Sequence, residues 1–356
     1  MGRSPVSGPG VPGGETGGSE YAVLLRRVKE AGLLERRPGR SACGVVLTLM
    51  SLAALVAALS AVGDSWWTLP LAVPVAECFV RAAFLGHDAA HQAIARSHRV
   101  NRILGLVFFP LVTGVSLAGW RYRHNHHHAH PNDPEKDRNL IDGPLAWTLE
   151  RSGARRGPAG VLARRQGMVF SVLAGRPFLL FCAAMVIESL WVLLTSVLYL
   201  RGRPLAERLV ETVLLAGHYT VCVGVLLVCM APAKAVLFAA VTLVLFGFHI
   251  GCAFAPNHKG MPASGRADTD YLRRQVLPTR NVRGGRVVYW LLGGLNYQIE
   301  HHLFPGMPRA NLRSAQALVR DHCRRCALPY AEAGPSASYA AVRDHLTGAA
   351  CSALPR

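Results

Sequence analysis

The stretch Asn296-Tyr297-Gln298-Ile299-Glu300-His301-His302-Leu303-Phe304-Pro305 decides how the rest of the chain is read, because two earlier histidine clusters make sense only if they meet it. Those clusters are His87-Asp88-Ala89-Ala90-His91 and His124-Asn125-His126-His127-His128. A His-x-x-x-His spacing sets two imidazoles one helical turn apart, roughly 6 Å along the axis, and His-x-x-His-His adds a comb of three on one face. Seven histidines at these spacings, from three segments, exceed what one tetrahedral site uses, so the arithmetic points to two metal ions. Neutral imidazole suits iron, copper and zinc alike, and spacing leaves the metal open.

The chain is 356 residues long, 51% hydrophobic, with a mean hydropathy of +0.24, which favours one integral membrane domain over two soluble ones. A formal net charge of +18 could serve nucleic acid, but the basic residues cluster beside apolar segments. Anionic lipid headgroups explain them better, and no nucleic-acid partner is expected. Nine cysteines are scattered, five of them inside apolar runs, so no disulfide framework is implied. Cys323-Arg324-Arg325-Cys326 lacks a second pair and reads as a solvated helix carrying two thiols.

Residues 1–18, rich in Gly, Pro and Ser, should form a disordered tail, and Tyr21 to Arg37 alternates apolar and basic positions as a helix lying on the membrane surface would. A spanning helix needs about 20 apolar residues. Cys43–Val62 and Trp66–Leu85 satisfy that as a hairpin, and the second leads straight into His87 and His91. Arg96, Arg99 and Arg102 follow, which makes that end cytoplasmic by the positive-inside rule. Ile103 to Gly119, broken by Pro110 and Gly114, should dip in and return, delivering the second cluster to the same side.

Three more apolar runs follow, Phe178–Leu200, Leu209–Met230 and Ala233–Ala255, and if all crossed, the last histidines would face the wrong way. Phe178–Leu200 carries Glu188 at its centre, where a carboxylate costs about 2.5 to 3.5 kcal/mol, so it is expected to lie at the interface or pack on protein. The fold class is therefore an all-α integral membrane protein with four transmembrane helices (43–62, 66–85, 209–230 and 233–255), interfacial helices and a cytoplasmic histidine-rich catalytic cap. The domain is expected to cover 19–345, with 346–356 as a tail, in a plasma membrane of bacterial type. An amphipathic stretch, Asn311–Cys323, should cap it.

The three clusters resemble the histidine boxes of the membrane fatty acid desaturases, the last with Gln298 in place of its first histidine, as in front-end and related acyl-lipid or acyl-CoA desaturases. The resemblance extends through Asn257-His258-Lys259-Gly260, Thr279-Arg280-Asn281-Val282-Arg283-Gly284-Gly285 and Leu292-Gly293-Gly294-Leu295. It implies two iron ions with O2 as co-substrate, held by His87, His91, His124, His127, His128, His301 and His302, with His258 as an eighth ligand. Asp88, Asn125, Asn257 and Gln298 are placed to orient imidazoles through hydrogen bonds, Gln298 also as a direct or water-mediated ligand. His126 points about 100° from its neighbours and should stand apart. Glu300 is expected to face away and pair locally, His98, His322 and His345 to lie on the surface, and His218 and His249 to bond between helices.

The implied activity is desaturation of a long-chain fatty acyl group, linked to CoA, a carrier protein or a lipid. The chain has neither a His-Pro-Gly-Gly haem signature nor a flavin or nicotinamide fingerprint, so a ferredoxin or free cytochrome is the expected donor. A hydroxylase or oxidase on the same scaffold is the alternative. A histidine-rich metal transporter ranks lower, because its ligands would line a path within the membrane.

Overall fold

The computed structural model describes residues 19–141, 176–264 and 270–352; the expected disordered tail at 1–18 and much of the arginine-rich connection after the second cluster lie outside them. The first half comprises α1 (Glu20–Glu30), α2 (Pro38–Val62), α3 (Ala72–Ala90, entered through a 3-10 turn at Trp66–Leu71), α4 (His98–Leu106), α5 (Leu117–Ala129) and α6 (Arg138–Ile141). The second comprises α7 (Pro177–Ser196), α8 (Leu205–Cys229), α9 (Pro232–His258), α10 (Tyr271–Val276), β1 (Arg280–Val282), α11 (Arg286–Leu291), α12 (Gln298–Leu303), α13 (Arg309–Arg325), β2 (Ala331–Ala333) and α14 (Pro335–Ser352). β1 and β2 form a short parallel pair with Asn281 opposite Glu332.

Among the described residues, five helical stretches are long and apolar enough to cross a membrane: Pro38–Val62, Trp66–Ala90, Pro177–Gly202, Leu205–Cys229 and Pro232–His258. α2 buries only Thr48 and Leu59 and exposes Val46, Leu47 and Met50, the all-round apolar surface of a helix in contact with lipid. At the end remote from the histidines, Asp64 joins the two hairpins by accepting from Ala231 N and Lys234 Nζ, both at 3.0 Å. Between α4 and α5 the chain bends through 109°. Pro110, which has no N–H to give, sits in a π-helical turn, and Gly114 follows in the left-handed region at φ 70°.

α7 adds a fifth helix long and apolar enough to cross to the four expected. Its first half runs antiparallel to the last turns of α9, with Leu180 against Ala255 and the Met185 backbone against Gly251. Its last residue, Ser196, accepts from Ser116 N at the start of α5, and Leu200 packs on Ala118 and Leu215. α7 thus packs on α9 at one end and on the start of α5 at the other, two helices that carry histidines of the clusters. Glu188 is stabilised by Lys259, whose Nζ donates to it at 2.8 Å. Where α5 crosses α7, a Cβ on Gly119 would run into the Ser196 carbonyl oxygen. Gly119→Ala is expected to destabilise the protein by about 1 to 3 kcal/mol, read as a lower thermal midpoint in detergent.

Several peripheral expectations change. α1 does not simply lie on the membrane: Leu24 and Val28 are fully buried against Leu272, Val276, Ile299 and Leu303. Tyr21 OH donates to Leu303 O at 3.1 Å, and Arg27 pairs with Asp321 at 3.3 Å. Amphipathic α13 closes the same cluster with Leu312, Ala315, Val319 and Cys323, so Cys323 is core rather than solvated, and His322 is buried too. At the C-terminus, α14 continues past the expected boundary at 345 to Ser352, and Leu346 packs with Leu180 and Met185.

Candidate metal centre

Four helices deliver imidazoles to one place because each ends, or lies, at the same face of the bundle. α3 terminates at His87 and His91, and α5 presents His124, His127 and His128 from one side. α9 ends on His258, and α12 carries His301 and His302. The approach to α12 needs a sharp reversal, supplied by Gly293 and Gly294 at φ 59° and 78°; a Cβ at Gly293 would strike the Phe84 ring.

The histidines sort into two groups, His87, His91, His124 and His301 in one and His127, His258 and His302 in the other, with potential ligand atoms in each within 4.8 Å of one another. His128 lies between them, its ring centre 4.8 Å from that of His301 and 4.4 Å from that of His302. Nε2 atoms approach closely: His91 to His124 at 2.9 Å, His124 to His128 at 3.0 Å, His258 to His302 at 3.1 Å and His127 to His258 at 3.3 Å. Two nitrogens each about 2.1 Å from one ion, at right angles, stand about 3 Å apart, so these spacings suit ligands of shared ions. His87 Nε2 and His301 Nε2 are buried with no hydrogen-bond partner among the described residues, which also fits nitrogens reserved for a cation. Burial first, then the neighbouring imidazoles, holds His301 and His302 well below the ordinary histidine range, keeping both neutral and able to donate a lone pair.

The outer nitrogens are held in turn. His127 Nδ1 lies 2.7 Å from an Asp137 carboxylate oxygen, His302 Nδ1 3.1 Å from Gln275 Oε1, and His258 Nδ1 3.2 Å from Pro278 O. His87 Nδ1 lies 3.3 Å from Asp88 Oδ1, and Asp88 is itself paired with Arg309 at 2.6 Å. An imidazole whose Nδ1–H is given to an acceptor points its Nε2 lone pair inward. Trp120 stacks on His124 with ring centres 4.1 Å apart.

Of the four residues expected to orient imidazoles, Asp88 does so directly, and the Gln298 amide reaches within 3.3 Å of His258 Nε2. Asn257 is fully buried, but its Nδ2 donates to Ala253 O and Leu295 O, tying the end of α9 to the loop before α12 rather than touching an imidazole. Asn125 is exposed on the opposite side of α5. Glu300 does not turn outward into a local salt bridge: it is fully buried, accepts from Tyr330 OH at 2.7 Å and Asn281 Nδ2 at 2.8 Å, and is pushed up to about 7 by burial. His126 stands apart on the Tyr122 carbonyl, and His218 and His249 bond across helices to Leu111 O and Leu291 O. Asp137, Gln275 and Arg309 went unnoticed in the sequence; only Asp137, ten residues beyond His127 in a polar turn, carried a local hint.

A cavity of about 220 Å3 opens beside both groups. His87, His124, His127 and His258 form one wall, and Ala83, Phe109, Val192, Leu193, Phe246 and Ile250 form an apolar continuation.

Apolar helices with two imidazole nests at one end define a candidate membrane metalloprotein. Residues 64–334 match the fatty acid desaturase family model, and the chain belongs to that family. It is 29% identical to the acyl-lipid (9-3)-desaturase of Physcomitrium patens over 270 residues, which are 74% of this chain and 49% of that protein. Identity is 31% over 265 residues to a Delta(8)-fatty-acid desaturase of Euglena gracilis, covering 71% and 60%, and 29% over 275 residues to a Delta(5) fatty acid desaturase of Caenorhabditis elegans, covering 74% and 59%. The chain thus spans about half to three fifths of the length of these relatives.

Proposed function

We propose that the protein is an O2-dependent desaturase that introduces a double bond into a long-chain fatty acyl group, with two irons held by His87, His91, His124, His127, His128, His258, His301 and His302. The observation that carries this reading is the facing pair of imidazole groups against an apolar cavity. Iron in such an all-nitrogen setting supplies the oxygen activation needed to take hydrogen from an unactivated methylene. The chain's own part is positioning. Asp137, Gln275, Asp88 and the Pro278 carbonyl aim the imidazoles, while Phe109, Leu193 and Ile250 hold a methylene chain and keep water from the reacting carbons. Mass analysis of the product tests the reaction: loss of two hydrogens supports it, and gain of one oxygen would make the protein a hydroxylase instead.

Of the residues of α9 that line the cavity, Phe246 lies furthest from His258, about 18 Å along the axis for twelve residues. Phe246→Leu is expected to lengthen the favoured acyl chain by roughly one or two carbons, because each added methylene gains about 0.8 kcal/mol on burial. Product profiles against chain-length mixtures read the shift, and an unchanged profile would remove Phe246 from the floor of the cavity.

We also read four crossings, α7 staying on the histidine side, with that side cytoplasmic. Arg37, Arg40, Arg96 and Arg99 are exposed beside the start of α2 and the first histidine cluster, where an acidic ferredoxin or free cytochrome would dock. Full turnover of the purified enzyme with chemical reductant alone would deprive that docking of its support.

A further inference from the structure

A second cavity, about 300 Å3, lies on the other side of α5 from the histidines. Arg102 from α4, Arg121 from α5 and Arg203 from the turn before α8 converge on it, with Leu106 and Val210 along its apolar edge. Arg203 is satisfied by Glu207 at 3.0 Å. Arg102 and Arg121 make no hydrogen bond or ion pair among the described residues, although Arg121 is half-buried. The remaining acid, Glu211, is engaged elsewhere: it accepts from Ser116 Oγ at 2.7 Å and Ala118 N at 3.0 Å, fixing the first turn of α5. Three guanidinium groups against two carboxylates leave one positive charge in excess.

That excess sits where the polar start of α8 gives way to its apolar stretch, beside the exposed Ile103, Leu209 and Val213. Guanidinium groups at that level meet headgroup phosphates, and the apolar edge below them meets acyl chains. A single excess charge matches a phosphodiester monoanion better than a diphosphate.

We propose that this groove binds the phosphodiester of an anionic glycerophospholipid, one of whose acyl chains lies along Leu106 and Val210, and that the site is separate from the cavity facing the histidines. The bound phosphate bridges α4, α5 and the turn before α8 from outside, and so steadies the helix that carries His124, His127 and His128. The assignment requires that the chain sits in a bilayer; it does not require desaturation.

Full-length protein in detergent, challenged with phosphatidylglycerol or phosphatidylcholine, provides the test, read by lipid retention in native mass spectrometry and by the thermal midpoint. Wild type should retain phosphatidylglycerol preferentially and gain a higher midpoint. Arg102→Gln, at an exposed position that leaves α5 untouched, should weaken retention about fivefold, and the double variant with Arg121→Gln should weaken it by roughly the square of that. Arg324→Gln, exposed on α13, controls for general charge and should retain lipid as wild type does. Equal retention by wild type and the Arg102→Gln variant would overturn the site. Stabilisation by inorganic phosphate or coenzyme A that equals or exceeds that by phosphatidylglycerol would overturn the lipid as its ligand.

Discussion

His301→Ala is expected to abolish turnover and to lower bound iron by about one atom per chain while the protein stays in the membrane. His301 Nε2 is buried with no hydrogen-bond partner among the described residues, and its ring centre is 4.8 Å from that of His87 and 5.0 Å from that of His91, so its loss opens that group. The residue belongs to short α12, outside the five apolar helices, which is why insertion should be unaffected. His127→Ala probes the other group and should likewise cost one ion. Metal analysis of both purified variants, beside an activity assay, gives the result; a variant that keeps two irons and full turnover would remove that histidine from the ligand set.

Asp137→Ala should weaken metal retention by about 10- to 100-fold, the usual consequence of removing a carboxylate that orients a metal-binding imidazole. Asp137 is 1% exposed and does three jobs: it receives His127 Nδ1 at 2.7 Å, Asn132 N at 3.0 Å and Asn139 N at 2.9 Å. Removing it leaves the buried His127 Nδ1 donor unpaired, at about 1 to 3 kcal/mol, and frees the His127 ring to turn. Asp137→Asn retains an acceptor without the charge and should fall between the two. Competition with a chelator ranks the three proteins, and wild-type retention in the alanine variant would mean that the turn, not the carboxylate, holds His127.

The histidine-bearing segments were legible because helical spacing forces residues four apart onto one face, which fixes how His87 and His91, or His124 and His128, can meet without knowledge of the rest. The same wheel shows why Asn125 failed as an orienting residue: it is one position from His124 and therefore about 100° off the comb. Asp137, Gln275 and Arg309 were not legible, since each reaches an imidazole or its carboxylate partner from a turn or a separate helix whose direction no periodicity of the histidine segments encodes. Glu300 misled for a related reason. A carboxylate beside two histidines reads as surface charge, yet Asn281 and Tyr330, 19 and 30 residues away in sequence, enclose it. For α7, parity and Glu188 argued from the sequence against a simple crossing, while Lys259, the partner that stabilises that carboxylate, becomes a neighbour only once α9 has folded.

α1 leaves the ribosome long before its partners: the surface its Leu24 and Val28 need is made from Leu272 to Leu303, and Tyr21 reaches a carbonyl 282 positions later. At about 5 to 20 residues per second, the helix waits roughly 15 to 60 s with its apolar stripe uncovered. The cap over the third histidine cluster therefore closes over α1 only after Leu303 has emerged, so a nascent protein has made its apolar hairpins well before its histidine face can close.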